Sequence, residues 1–300
     1  MSNRLLDAIR TRILLGDGAM GTQLQRAGLE PGGCGEAWNV THPERVLEIQ
    51  RRYVQAGSDC LITNTFGGSS IMLARHGHAE QVAEINAAGA RVAREAFGDR
   101  AGFVIGDIGP FGGLMEPYGD FSEQQVRDAF REQADALVAA GVDAVIIETQ
   151  TAFEELRVGV EAAKAAGATC VIGSMAYDVT HDRSEIRTMM GIGPAEAAVF
   201  MKDIGVDIAA INCGSGVDAK WATRAVEIYR QQCDLPTMAQ PNAGTPELVN
   251  MQVVYRQTPE EMAADLPALL DAGANIVGGC CGSTPEHIRL FREIIDARCA

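Results

Sequence analysis

The 300 residues carry 25 Lys and Arg against 40 Asp and Glu, a net charge of −15, and 47% of them are hydrophobic. That balance excludes a nucleic-acid or anionic-membrane binder, since no basic block offsets it, while the core can be sizeable. No stretch approaches the roughly 20 apolar residues of a membrane span, and the charge-interrupted start "MSNRLLDAIRTRILLGDGAM" does not read as a signal peptide, so a cytoplasmic protein with reduced cysteines is expected.

Along the chain, short apolar or β-branched runs recur at 12–20, 60–66, 102–110, 144–150, 170–176, 208–214, 237–242 and 275–282. Between them lie stretches of helical period such as 43–57, 122–141 and 259–273. Several of these open on Pro with Glu close behind ("THPE", "GPAE", "QTPEE", "STPE") and stop at Gly, as helices do. Eight strands alternating with helices predict a (β/α)8 TIM barrel, with an open doubly wound sheet as the alternative. No linker or composition shift divides the chain, so residues 1–300 read as one domain. Residues 115–122 and 181–191 read as longer loops on the functional face, and Met189 and Met190 in the second offer an adaptable apolar patch.

Chemistry in such barrels sits at the C-terminal ends of the strands. The residues falling there are Asp17, the "TNTF" of 63–66, Asp107, Glu148, Cys213, Asn242, Cys280 and Cys281. Cys34, Cys60, Cys170, Cys233 and Cys299 fall at loops, strand starts or helices and read as structural. Cys280 and Cys281 are neighbours and could not bond each other without strain. With Cys213 they supply three thiolates at one mouth, and three protein ligands plus an exchangeable fourth position describe a catalytic zinc site. Inert buried thiols are the competing reading. The glycines of "GGCCG" favour the metal, because they let backbone and both sulfurs crowd one centre.

Together, "GDGAMGTQL" (16–24), "TNTF" (63–66), "IIET" (146–149), "INCG" (211–214), "PNAG" (241–244) and "NIVGGCCGSTPEHI" (275–288) resemble the homocysteine S-methyltransferase family, its methionine-synthase branch in particular. The resemblance spans nearly the whole chain, in order. It implies a (β/α)8 barrel and a Zn2+ ion on Cys213, Cys280 and Cys281, with homocysteine as the thiol to be methylated to methionine. Zinc would ionise that thiol, which is otherwise protonated up to about pH 8.5. The resemblance further puts Asp17 and Glu148 at the substrate ammonium. A turn role for Asp17 and a helix-capping role for Glu148 are the competing readings. The substrate carboxylate would take backbone N–H groups from Gly18, Ala19 and Met20 and from Thr63, Asn64 and Thr65. Asn242 resembles a family position near the zinc, against an ordinary turn asparagine.

The chain has no Asp-x-His-x-x-Gly corrinoid loop and no Walker lysine. The expectation is therefore a free-standing module that takes its methyl group from methylcobalamin on a separate corrinoid protein. Three other readings stand beside it: a small sulfonium or betaine donor such as S-methylmethionine, a corrinoid-linked thioether or thiol demethylase, and a non-catalytic zinc-stabilised docking barrel.

Overall fold

The computed structural model describes residues 3–249 and 252–299. Eight parallel strands form its centre: β1 (Leu14–Leu15), β2 (Cys60–Ile62), β3 (Phe103–Ile108), β4 (Ala144–Gln150), β5 (Val171–Met175), β6 (Ile208–Asn212), β7 (Thr237–Gln240) and β8 (Ile276–Val277). Their hydrogen-bonded order is β1-β8-β7-β6-β5-β4-β3-β2, so sequence neighbours pair from β2 through β8 and β8 pairs back to β1. A helix follows each: α1 (Pro43–Gln55), α2 (Val82–Phe97), α3 (Glu123–Ala139), α4 (Phe153–Ala165), α5 (Pro194–Asp203), α6 (Ala219–Gln232), α7 (Pro259–Asp271) and α8 (Pro285–Cys299). This is the (β/α)8 barrel that the strand count implied. Cys299 ends α8, and its side chain lies outside the described residues.

Alternation along the strands builds two cores. Leu14, Ile105, Ile146, Ile172, Ile208, Met238 and Ile276 point into the barrel and are buried. They sit in matched register, with Leu14 beside Ile276, Ile276 beside Met238 and Ile172 beside Ile208. Leu15, Val104, Val145, Ile147 and Ala209 point outward and are buried under the helices. A short helix, Arg4–Ile9, adds Leu5 and Ile9 to the interior cluster. The side chain of Asn3 caps that helix and also donates to the Asp143 carbonyl at 3.1 Å, fixing the plug in place. The helix-start signals are real. Pro43, Pro194 and Pro259 occupy first-turn positions, and Ser122 and Thr258 form capping boxes with Gln125 and Glu261.

Two antiparallel hairpins stand outside the barrel rhythm. Asp178–Val179 pairs with Ile186–Arg187 after β5, and Pro246–Val249 pairs with Gln252–Tyr255 after β7. The first lies partly in the segment that the sequence suggested was an irregular loop. Neither strand pair alternates long enough to stand out from turn residues.

β1 and β2 share no ladder, and side chains close that seam. Asp59 N–H donates to the Leu15 carbonyl (2.7 Å), and the Asp59 carboxylate accepts the Leu15 N–H (2.9 Å). The same carboxylate pairs with Arg12 and Arg292. Higher up, Asp17 accepts the Ile62 N–H at 2.9 Å. Replacing Asp59 with Ala should therefore lower unfolding free energy by about 1–3 kcal/mol, the cost of a buried donor left without its partner. Urea titration with an unchanged m-value is the expected result. A loss within a few tenths of a kcal/mol would mean that the seam does not depend on this carboxylate.

Candidate active site

Three sulfurs meet at the mouth of the barrel. Cys213 directly follows β6, while Cys280 and Cys281 follow β8 after Gly278 and Gly279. Their Sγ atoms all lie within 4.8 Å of one another, and those of Cys213 and Cys281 are 3.8 Å apart. A tetrahedral zinc with bonds of about 2.3 Å requires its sulfur ligands to stand about 3.8 Å apart, so donor type and spacing both fit that ion. Hydrogen bonds from Cys213 and Cys280 hold Cys281 down to about 3, whereas the same contacts and burial push Cys280 well up. A divalent ion is what would let all three ionise together.

The backbone is bent to bring them there. Cys213 adopts a left-handed φ of 55°, a conformation costing a non-glycine residue about 1–3 kcal/mol. Gly214 follows at φ 88°, where a Cβ would stand 1.6 Å from the Tyr177 carbonyl. Only glycine fits.

The loop after β7 holds both arms. The Gln240 carbonyl accepts Cys213 N–H (3.3 Å), and the Pro241 carbonyl accepts Cys280 N–H (2.8 Å). Ala243 N–H donates to the Cys281 carbonyl (3.0 Å), and Asn242 Nδ2 donates to the Gly214 carbonyl (2.8 Å). Asn242 therefore braces the Cys213 turn with its amide nitrogen, while its buried Oδ1 has no hydrogen-bond partner.

Below the sulfurs lies a cavity of about 370 Å³, a size that suits a small molecule. Of the residues singled out in the sequence, Asp17, Gly18, Ala19, Met20, Thr63, Asn64, Glu148 and the three cysteines line it; Thr65 and Asn242 do not. Asp107, Glu36 and Gln240 also line it, and none of the three was assigned a metal or substrate role from the sequence. Asp107 was visible as a strand-end acid. Glu36 was not, because it lies in the long excursion between β1 and α1, where its carboxylate accepts the Gly67 N–H at 2.8 Å.

The "TNTF" side chains are chiefly structural. Thr63 and Thr65 hydroxyls bond each other at 2.6 Å, and Thr65 donates to the Asp107 carbonyl. The Asn64 amide is spent on Gly35 and Asn39. At the "GDGAMG" turn, by contrast, Ala19 N–H donates to Ser283 Oγ (3.0 Å), while the N–H groups of Gly18 and Met20 have no partner among the described residues.

Glu148 does not cap α4. Ala152 precedes that helix with no side-chain cap. β4 slips register against β5 between Ile147 and Gln150, and Thr149 takes a left-handed φ of 58°. Asn212 holds this kink through Thr149 N–H (3.1 Å) and Oγ1 (2.7 Å). Burial raises Glu148 to about 7, with the Cys281 charge adding to it and a hydrogen bond from Asp107 opposing it. Asp107 is pushed well up by burial and by Glu148, Glu36 and Asp17, and its Oδ1 has no partner. Asp107 is thus the protonated donor of the pair. Burial likewise raises Asp17 to about 8, despite its bond from Ile62.

Fold and donor set together define a (β/α)8 barrel with a three-thiol centre, able to take a soft divalent metal, at its catalytic end. Residues 14–295 match the homocysteine S-methyltransferase family, and the chain belongs to that family. It is 34% identical over 301 residues to methionine synthase of Mycobacterium tuberculosis, covering 95% of this chain and 25% of that protein. The Mycobacterium leprae methionine synthase is 33% identical over 311 residues, covering 98% and 25%. The chain thus spans about a quarter of the length of these relatives. In fold it is similar to the metallated form of the homocysteine methyltransferase MmuM from Escherichia coli, with a TM-score of 0.78 at 24% identity over 97% of this chain and 98% of that one.

Glu148 and its pH dependence give a direct check. A carboxyl whose folded value is raised contributes stability at low pH and loses it as pH rises through that value. Metal-free wild type should therefore lose about 1–3 kcal/mol relative to Glu148→Gln between pH 5 and 8. Paired denaturation curves measure it. A difference independent of pH would mean that Glu148 is solvated and unperturbed.

Proposed function

We propose that the chain methylates homocysteine to methionine, with zinc held by Cys213, Cys280 and Cys281 and the methyl group delivered by a methylcorrinoid on a separate protein. The 3.8 Å spacing of two convergent cysteine sulfurs above a buried acidic cavity carries this reading. Zinc bound there would keep the homocysteine thiol ionised at neutral pH, making it a nucleophile toward a methyl carbon.

The protein's own groups do the rest. Glu148, relieved of its neutral preference by a cation, takes the substrate ammonium, and Asp107 orients that carboxylate by donating to it. The free N–H groups of Gly18 and Met20 receive the substrate carboxylate. Asp17 adds negative charge while keeping its bond to Ile62. Leu24, Leu29 and Phe66 line the same cavity and keep water from the side chain being methylated. Asn242 Oδ1, buried beside the Cys213 turn and unpartnered, would be an oxygen available to the zinc when substrate is absent.

A corrinoid is too large for a 370 Å³ cavity, so its carrier must meet the mouth of the barrel. Exposed apolar side chains in the βα loops suit such a contact: Leu114 and Tyr118 after β3, and Met189 and Met190 after β5. The net charge of −15 favours a carrier with a basic rim. The same proposal puts the protein in the cytoplasm, where three free thiols stay reduced. No helix among the described residues is long and apolar enough to cross a membrane.

The donor is decided by assaying the zinc-loaded chain with homocysteine against two compounds. Methylcobalamin should be demethylated, slowly when free and faster on a corrinoid protein, with S-methylmethionine a poor donor. Brisk turnover of S-methylmethionine and none of methylcobalamin would overturn the corrinoid assignment in favour of a small sulfonium donor.

A further inference from the structure

His287 lies at the start of α8, six residues beyond Cys281, and only 4% of it is exposed. Its ring is held from both sides. The Thr284 backbone N–H donates to Nδ1 at 3.2 Å, and the Thr284 hydroxyl lies 2.9 Å from the same nitrogen. A backbone N–H can only donate, so Nδ1 is an acceptor and the ring proton sits on Nε2. Nε2 therefore donates to the Gln257 carbonyl, 3.2 Å away, at the point where the Pro246–Tyr255 hairpin returns to α7.

From Gln257 the chain of bonds closes on the metal-binding turn. Gln257 N–H donates to the Ala243 carbonyl (3.2 Å), and Ala243 N–H donates to the Cys281 carbonyl (3.0 Å). Two residues before Gln257, Tyr255 packs on Gly282, where a Cβ would stand 2.3 Å from it. Tyr255 and Val253 line a second, wider cavity of about 700 Å³ that opens beside Gly282 and adjoins the first through Thr22, Gln25 and Leu29.

We infer that His287 is a positioning residue: as the Nε2–H tautomer it clasps the hairpin to the Cys280–Cys281–Gly282 turn and so shapes the cavity through which the methyl donor reaches the bound thiol. The donor role rests on the proposed function; the clasp itself does not. Protonation would leave Nε2–H on the Gln257 carbonyl and turn Nδ1 from an acceptor into a donor toward the Thr284 hydroxyl, so the clasp does not depend on the ring staying neutral. Burial lowers His287 from the ordinary 6.5, the Gln257 carbonyl opposes this, and the charges facing the ring are Glu260 of α7, Glu286 of α8 itself and Arg26 at the end of the short Gly21–Arg26 helix.

Two near-isosteric variants separate clasping from helix capping, because asparagine reproduces the Nδ1 acceptor and glutamine the Nε2 donor. His287→Asn should speed amide exchange at residues 255–257 about tenfold, the effect of losing one hydrogen bond, and raise the donor KM by a similar factor with kcat nearly unchanged. His287→Gln should stay near wild type in both, and zinc content and homocysteine affinity should hold in both variants. Wild-type exchange in His287→Asn, or equal disturbance by both variants, would overturn the clasp. The exchange measurement needs no methyl donor, so it stands if the donor assignment fails.

Discussion

Both cysteine-bearing arms hang on one stretch of main chain, the four residues from Gln240 to Ala243 that leave β7. Cys213 comes from the strand on one side and the Cys280–Cys281 pair from the strand on the other. The carbonyls of Gln240 and Pro241 take one N–H from each arm, and Ala243 returns a bond to Cys281. Parallel ladders fix the neighbouring strands to within one residue, so the sulfurs inherit their spacing from the sheet register. The strain of a left-handed Cys213 is sustained because Asn242 and the glycine after it leave the turn no other path.

That placement sets the electrostatics beneath it. Three sulfurs cap a cavity whose wall holds Asp17, Asp107 and Glu148, all buried and all shifted toward the neutral form. Burial is the leading cause of each shift, and it leaves that wall with a preference for positive charge. A dication among the sulfurs and an ammonium among the carboxyls would meet it at two separate points, one fixing the reacting atom and the other the far end of the substrate. Asp17 is tied to Ile62 across the β1–β2 seam, so it joins Asp59 in closing the barrel while also lining the cavity.

Much of this could be read from the sequence because barrels put chemistry at strand ends. Cys213, Glu148 and the "GGCCG" pair each end a β-branched run, and the structure brings them to one mouth. Periodicity could not show which strand-end polar groups face inward. Thr65 and the Asn64 amide are spent holding the turn, while Asp107 lines the cavity as a second buried acid alongside Glu148. Glu36 and His287 act through contacts made across long separations in the chain, and no local pattern encodes them. The two hairpins were missed for a related reason: each strand is two to four residues long, too short for alternation to register.

The central claim is that the three cysteines form an open zinc centre whose vacant position takes the substrate sulfur. X-ray absorption at the zinc edge counts those sulfurs directly. The account predicts three sulfur ligands at about 2.3 Å and one lighter atom in the substrate-free protein, rising to four sulfurs when homocysteine is added. A sulfur count that stays at three with homocysteine bound would contradict it.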